Sequence, residues 1–236
     1  MDKKPRQELS DKEVELLSFG LPQIFNHQNI GKTILVTALA STAIVGFWAV
    51  LSWIPPWINQ LVGTAAVNER SIVAISLNIG GIISALLAGS MVIKFGRRAS
   101  FCFCFLGALI CCLGTFLTTN SYSNALIVWT FFIGFFAVMA FSLLFIYVPE
   151  LFETKLRATA FGFCIQIGRL AAAAAAILGG QLISAFNGSY AMAAACVSLF
   201  YLVGIVASAF IKTPKEDLLH DNYHLLPQPL IETVVN

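Results

Sequence analysis

Six long apolar runs limit what this chain can fold into. A helix needs roughly 20 residues to cross a hydrocarbon core about 30 Å thick, and every run is near or above that length. Backbone groups in lipid must form hydrogen bonds within their own segment, so each run is predicted to be a helix. The sequence therefore predicts an all-α membrane protein, a bundle of six transmembrane helices. The runs are Ile34–Ile58, Ile72–Ile93, Ala99–Leu117, Ala125–Val148, Ala158–Ile183 and Tyr190–Ile211.

Composition agrees with a membrane protein. Of the 236 residues, 58% are hydrophobic and 11% are charged, whereas about a quarter of a soluble domain is charged. The net charge of +2 is too small for a nucleic-acid surface, so the lipid bilayer is an expected partner and nucleic acid is not. All six cysteines fall within apolar runs, without paired loop spacing or nearby histidines. We expect them to be reduced packing residues, and we expect no metal and no other cofactor.

Polar segments flank the helical domain. Residues 1–33 are interpreted as a cytoplasmic N-terminal segment, 34–211 as the transmembrane domain and 212–236 as a cytoplasmic tail. The first 30 residues are mostly polar and show no secretory signal peptide, so the first apolar run is expected to direct insertion. Ser10 followed by Glu13 has capping-box spacing, which favours a short helix from Asp11 to Phe19. A solvated tail is the alternative.

Lysine and arginine lie almost entirely on one side of the predicted bundle. Twelve of the 14 occur in the N-terminal segment, the second-to-third and fourth-to-fifth connections and the C-terminal tail. Arg70 is the one basic residue in the connections of the opposite side. The positive-inside rule then predicts that both termini face the cytoplasm (N-in, C-in). We expect the plasma, or cell inner, membrane to be the location.

The outer end of the first helix combines tryptophan and proline. Trp53 and Trp57 flank Pro55 and Pro56. Amphipathic indole rings favour the headgroup level, so both tryptophans are predicted to be interfacial anchors. Each proline removes a backbone donor, so the pair is predicted to end or kink the helix.

The second helix carries a small-residue repeat and one strongly polar side chain. Gly81, Ala85 and Gly89 recur every four residues, which predicts a stripe for close helix packing. Asn78 lies about one turn earlier. It is a candidate substrate-binding residue facing a cavity, and an interhelical hydrogen bond is the alternative fate of its side chain.

Two charged turns fall on the predicted cytoplasmic face. They join the second helix to the third and the fourth helix to the fifth. We expect arginines of the first turn to pair with glutamates of the second, which would latch helix ends when that face is closed. Ordinary positive-inside anchoring, with weak exposed pairs, is the alternative. The candidate gating residues are Lys94, Gly96, Arg97, Arg98, Glu150, Glu153 and Arg157.

One arginine lies deep inside the fifth helix. Arg169 is 12 residues beyond Arg157, which places it roughly 18 Å into a core about 30 Å thick. An ionised side chain at this depth is expensive and typically marks a pathway or a binding site. Arg169 and Gln166 are therefore candidate substrate-binding residues, and a structural tie to Gln166 or to backbone carbonyls is the alternative. Steps of three and four place these residues on one face: Gly162, Gln166, Arg169, Ala173, Ala176 and Gly180. The alanine run 171–176 is interpreted as a close-packing surface.

These motifs resemble those of a known transporter family. The spacing G-x4-K-x-G-R-R from Gly89 to Arg98 is similar to the loop signature of the major facilitator superfamily. The segment YVPELFETKLRAT, followed by GFxxQIGR, resembles the region between the tenth and eleventh helices of its metabolite, organic-acid and sugar carriers. The resemblance implies that the six helices correspond to helices seven to twelve, one half of such a transporter. It also implies that residues 1–33 correspond to the central cytoplasmic linker.

The chain departs from the family pattern at two positions. Ile93 stands where the loop signature usually has an acidic residue, and Glu153 stands where a proline is often found. Any latch must therefore use Glu150 or Glu153.

The resemblance implies secondary active transport of a small polar metabolite, such as an organic anion, by alternating access. Symport with an ion is expected, and its acidic carrier would lie outside these helices, since no acidic residue falls within a run. We expect the chain to act as part of a larger or dimeric assembly, with a second six-helix half or a second copy as partner. The alternative is a non-transporting half or an accessory membrane protein. A membrane enzyme lacks any candidate catalytic group, and the DNA upstream would reveal a separately encoded half.

Overall fold

The computed structural model describes residues 20–63 and 66–211. Within these ranges the chain forms eight helices and no strand. Six spans are long and apolar enough to cross a membrane, since α7 and α8 together make the sixth, Tyr190–Ala209. The prediction of an all-α bundle with six spanning helices is confirmed, whereas the proposed helix Asp11–Phe19 lies outside the described residues. The helices are α1 (Gly20–Ile24), α2 (Ile30–Val62), α3 (Val67–Phe95), α4 (Arg97–Thr118), α5 (Asn124–Leu151), α6 (Arg157–Ala185), α7 (Tyr190–Ser198) and α8 (Tyr201–Ala209).

The helices pack around a centre made of α2, α4, α5 and the α7–α8 span. Helix α3 packs chiefly against α5, and α6 packs chiefly against α2. Helices α2 and α6 run in the same direction. The Thr37 hydroxyl donates to Cys164 Sγ (3.3 Å) in the first half of each helix. Gln60 Nε2, in the last turn of α2, donates to the carbonyl of Gly188, just after the end of α6 (2.7 Å). We call the end of the bundle that carries Lys32, Arg97 and Arg157 the basic end.

Helices α3 and α5 touch backbone to backbone. A Cβ at Gly80 would overlap the carbonyl oxygen of Phe131, and a Cβ at Gly134 would overlap the carbonyl oxygen of Leu77. Only glycine permits this reciprocal approach, in which each helix places a carbonyl group in the notch of the other. The pairing of α3 with α5 therefore depends on two particular residues.

The predicted small-residue stripe of α3 is wrong in its register. Ala85 and Gly89 are exposed, and a Cβ at Gly89 would meet nothing within 4 Å. A strict four-residue repeat rotates by about 40° per step around a helix of 3.6 residues per turn, so it leaves the contact face. The buried positions instead mix steps of three and four. They are Val73, Leu77, Gly80, Gly81, Ser84 and Ala88.

The two prolines were predicted to end or kink the helix; they do not end it, because α2 continues through them to Val62. The flanking indole rings are not headgroup anchors either, because Trp53 and Trp57 are buried in the bundle. Trp57 packs edge-on against Phe116 with ring centroids 5.0 Å apart, and Trp53 lies against Gly179. This packing holds the segment in a helix although the prolines donate no hydrogen bonds.

Packing around the cysteines follows the sequence prediction. Cys104, Cys111, Cys112 and Cys164 are buried, Cys102 and Cys196 are half-buried, and all six are free.

Candidate functional site

An open groove of about 310 Å³ lies between α2 and α6. The two helices approach closely on either side of it, because Gly168 packs against Ala40 and Ile44, and Gly179 packs against Trp53. The wall contributed by α6 is otherwise built of alanine, so the groove stays open between these contacts. The residues that line it are Trp48, Ser52, Arg169, Ala172, Ala173 and Ala176.

Arg169 supplies the only charge among the residues lining the groove. Its Nη1 donates a hydrogen bond to Gln166 Oε1 (3.1 Å), one turn earlier on the same helix. In residues 20–63 and 66–211 the one ion pair joins Arg97 to Glu150, so no described carboxylate neutralises Arg169. A guanidinium has five N–H donors in a fixed fork, and the bond to Gln166 occupies one of them. The remaining donors are available to a ligand.

The predicted small and polar face of α6 is confirmed. Gly162, Gln166, Arg169, Ala173, Ala176 and Gly180 are all exposed. Little of the apolar part of α6 is buried against the rest of the bundle. Half of the alanine run does not pack within the described bundle, contrary to its interpretation as a close-packing surface: Ala173, Ala174 and Ala176 are exposed, and the others are half-buried.

Two further groove residues, Trp48 and Ser52, were not predicted as site residues. They lie one turn apart on α2, and the Trp48 side chain is 52% exposed. A hydroxyl and an indole one turn apart in an apolar run are the signal that would have found them. Together with Arg169 they place a cation, an aromatic ring and a hydroxyl around one small space. Such a set matches a carboxylate with a flat apolar body, because guanidinium binds carboxylate in a bidentate fork and indole offers a large rigid face.

Asn78 does not line this groove. Its side chain is exposed, and its Nδ2 donates to the Ala74 carbonyl of its own helix (2.7 Å). The structure shows this intrahelical bond in place of the interhelical bond that was the alternative to a cavity-facing role. Of the three predicted substrate-binding residues, it brings together Arg169 and Gln166.

One pair of the predicted gating residues meets at the basic end. Arg97 Nε donates to Glu150 Oε2 (2.5 Å), which joins the start of α4 to the last turn of α5. The side chains are 21% and 42% exposed. Gly96 separates α3 from α4 with a φ of +78°, a left-handed conformation that favours glycine. This turn places Arg97 as the first residue of α4.

The other predicted gating residues do not join this pair. Arg157 Nε donates to the Phe152 carbonyl (3.1 Å), which closes the turn between α5 and α6. The Lys94 ammonium lies 5.4 Å from the centroid of the Phe95 ring. Arg98 and Glu153 are exposed, and neither forms an ion pair within the part of the chain that the structure describes. Lys32, which was not predicted as a gating residue, donates to the Leu151 carbonyl (3.4 Å) at the end of α5.

Comparison with known proteins places these features in a family context. A family model described as Major Facilitator Superfamily matches residues 36–235. The cis,cis-muconate transport protein of Acinetobacter baylyi is 30% identical over 173 residues, which is 73% of this chain and 41% of that protein. The probable 4-methylmuconolactone transporter of Cupriavidus pinatubonensis is 24% identical over 178 residues, 75% of this chain and 41% of that protein. An uncharacterized MFS-type transporter of Schizosaccharomyces pombe is 28% identical over 151 residues, which is 56% of this chain and 26% of that protein. The matched region thus spans less than half the length of these relatives.

Proposed function

Because the chain belongs to the major facilitator superfamily, a family of integral multi-pass membrane transporters and not of enzymes, we propose that it takes part in secondary transport of a small organic anion by alternating access. The observation that carries the proposal is the groove between α2 and α6, where Arg169 lies near the middle of a span without a described carboxylate partner. Arg169 is the proposed partner of a substrate carboxylate, and Gln166 positions its guanidinium.

The cost of placing an arginine at this depth supports a ligand role. Insertion scales put it at about 2.5–3.5 kcal/mol for a residue at the centre of a spanning helix. A water-filled groove that accepts an anion offsets this cost. The guanidinium is hydrated while the groove holds no substrate, and it is paired with a carboxylate once substrate binds. The volume of about 310 Å³ is at the low end for small-molecule sites, which run from about 300 to 1,000 Å³. It favours a small metabolite.

The named relatives support a narrower substrate class. One is called a muconate transport protein and another a probable 4-methylmuconolactone transporter. Muconate is a carboxylate with a flat, conjugated carbon chain, which complements the Arg169 fork and the exposed indole of Trp48. We therefore propose an unsaturated organic acid as the substrate class.

The direction of the chain in the membrane is part of the same proposal. The basic end is proposed to face the cytoplasm of a plasma membrane, with Arg97 and Glu150 as a latch between helix ends on that side. The motivating observation is the positive-inside distribution of lysine and arginine together with the 2.5 Å pair.

A second six-helix body completes the proposed transporter. Its identity is either a companion half or another copy of this chain, and it would supply the acidic residue for proton-coupled symport. Glu69 and Glu150, the acidic residues in the described spans, lie at span ends. Uptake by a demonstrably monomeric preparation of this chain would contradict the assembly and leave Arg169 as a site within a single bundle. A chain that neither transports nor supports transport would fit the alternative of an accessory membrane protein.

Uptake by the native assembly in proteoliposomes tests the role of Arg169. The probes are small mono- and dicarboxylates, with labelled cis,cis-muconate among them and its dimethyl ester as an uncharged competitor. We expect Arg169→Ala and Arg169→Lys to lose at least tenfold in uptake, since truncating a desolvated charge partner costs about 2–5 kcal/mol and an ammonium cannot reproduce the bidentate fork. The dimethyl ester should not compete.

Arg70→Lys is the matched control, because Arg70 lies in the first turn of α3 and does not line the groove. Expression and melting temperature are measured for all three variants. Normal uptake in either Arg169 variant would refute the binding role. A variant that loses its fold before its uptake would favour a structural tie to Gln166. No uptake of any carboxylate by the parent would refute the substrate class.

A further inference from the structure

A second and larger cavity, of about 510 Å³, opens at the basic end between α2, α5 and α8. It shares no lining residue with the groove of Arg169. Lys32, His27, Gln28 and Tyr147 contribute its polar groups, and Ile34, Leu35 and Phe210 contribute much of its apolar wall. The proposed transport function does not use it.

The cavity lies where three spans end. Lys32 is in the first turn of α2, Leu151 is the last residue of α5, and Phe210 directly follows α8. Ala38 lies eight residues beyond the start of α2, or about 12 Å deeper along the helix axis. The cavity therefore extends from the level of lipid headgroups into the level of acyl chains.

Its basic groups and its apolar wall are separated along this depth. The Lys32 ammonium and the His27 imidazole are at the shallow end, and the deeper wall includes Leu35, Ala38 and Tyr147. None of the described lining residues is acidic. An ammonium has three donors, and the bond from Lys32 to the Leu151 carbonyl uses one. The remaining donors can meet an anion at the mouth.

The mouth itself is apolar on its outer side. The side chains of Ile34 and Phe210 are 63% and 70% exposed. Large apolar groups so exposed beside a cavity indicate that it opens toward an apolar phase or partner. In a membrane protein, the surrounding phase at this depth is lipid.

We propose that this cavity binds an acidic phospholipid of the bilayer. The phosphate would lie at Lys32 and His27, and one acyl chain would pass between Ile34 and Phe210 at the mouth and follow Leu35 inward to Ala38. Basic pockets between spanning helices recognise anionic headgroups through their net negative charge, and a zwitterionic lipid has no net charge. The bound lipid would link the starts of α2 to the ends of α5 and α8.

A tryptophan placed at the cavity reports on binding. Phe210→Trp replaces one exposed aromatic side chain of the cavity wall by another, so the fold should be retained. Phosphatidylglycerol with brominated acyl chains is titrated into the full chain in detergent micelles, and quenching is compared with that by brominated phosphatidylcholine. We expect quenching beyond that of the parent protein with phosphatidylglycerol and little with phosphatidylcholine. Leu35→Trp serves as a second reporter from the opposite wall.

The charge requirement is tested in the Phe210→Trp background. Lys32→Gln should weaken phosphatidylglycerol binding roughly fivefold, the factor that corresponds to about 1 kcal/mol per lysine at an anionic surface. Lys155→Gln is the matched control, because it removes the same charge from the same end and Lys155 does not line the cavity. The control should bind like the Phe210→Trp parent.

Four results would overturn the proposal. Equal quenching by the two lipids would show that the headgroup charge is not recognised. Equal affinities of the Lys32→Gln and Lys155→Gln variants would show that Lys32 does not hold the phosphate. Displacement of the lipid by millimolar inorganic phosphate alone would indicate a site for a soluble anion. Binding that appears only after residues 212–236 are removed would show that the tail, and not lipid, occupies the cavity.

Discussion

Gly80 lets α3 reach the backbone of α5, and its substitution by alanine is the most direct test of the packing described above. A Cβ at this position would overlap the Phe131 carbonyl oxygen, and it would lie 3.0 Å from the Phe131 carbonyl carbon and 3.1 Å from the Phe135 nitrogen. All three are backbone atoms, so no side-chain rotation can relieve the overlap. The Gly80→Ala variant must move one helix away from the other.

The size of the effect follows from comparison with Gly89→Ala in the same helix. Both substitutions gain the same intrinsic helix propensity, about 1 kcal/mol at most. A Cβ at Gly89 would meet nothing within 4 Å, whereas forcing an extra methyl group into a packed seam costs about 1–3 kcal/mol. The propensity gain cancels in the difference between the two variants. We therefore expect Gly80→Ala to be less stable than Gly89→Ala by about 1–3 kcal/mol.

The four buried cysteines provide the assay. Cys104, Cys111, Cys112 and Cys164 are free and buried, so a thiol-reactive fluorophore labels them only as the bundle unfolds with temperature. Gly80→Ala should unfold below the parent and Gly89→Ala at or above it. Gly134→Ala, whose Cβ would overlap the Leu77 carbonyl, should resemble Gly80→Ala. The variant with both Gly80→Ala and Gly134→Ala should lose less stability than the two single variants together, because the first substitution already separates the helices. Unfolding of Gly80→Ala at or above the temperature of Gly89→Ala would refute the backbone-to-backbone seam.

Two further predictions concern the basic end. Glu150→Arg should destabilise the bundle by about 0.2–1 kcal/mol, the range for exposed ion pairs, and adding Arg97→Glu should restore most of the loss. The thiol assay at low and high salt measures both changes. A double variant no more stable than Glu150→Arg alone would contradict the pair. Reporter fusions at Asp2 and Asn236 should both read cytoplasmic, since the basic connections and both termini are predicted to share one side, and an external signal from either fusion would defeat that topology.

The spans could be predicted from the sequence because lipid imposes a length and a hydrogen-bonding rule that apolar runs satisfy directly. Details of packing could not, because they depend on which neighbour a face meets. The repeat of Gly81, Ala85 and Gly89 looked like a contact stripe, but the contact face of α3 turns away from it. Trp53 and Trp57 looked like headgroup anchors, but Phe116 and Gly179 offer them space inside the bundle.

The candidate site was predictable to the extent that it lies on one helix. Helical spacing placed Gln166 and Arg169 on the face that the structure leaves exposed. The contribution of Trp48 and Ser52 required knowing that α2 and α6 run side by side, which no local pattern in either run reveals. At the basic end the sequence offered several possible pairs, and the turn at Gly96 selects Arg97 for Glu150.

The two outer helices differ in a way that bears on where a solute would pass. The exposed face of α3 presents large aliphatic side chains, among them Ile75, Ile79, Ile82 and Leu86, which suit lipid or another apolar surface. One exposed face of α6 presents glycine and alanine around Arg169, whereas Leu170, Ile177 and Leu178 are exposed on the adjoining side of the helix. The face around Arg169 offers lipid few apolar contacts, and contact with lipid would carry the cost of a cation in an apolar phase. The face around Arg169 is therefore poorly suited to lie against acyl chains. It is well suited to border water, a carboxylate and the second six-helix body that we propose, and this asymmetry supports placing that body against α6 with the groove of Arg169 between them.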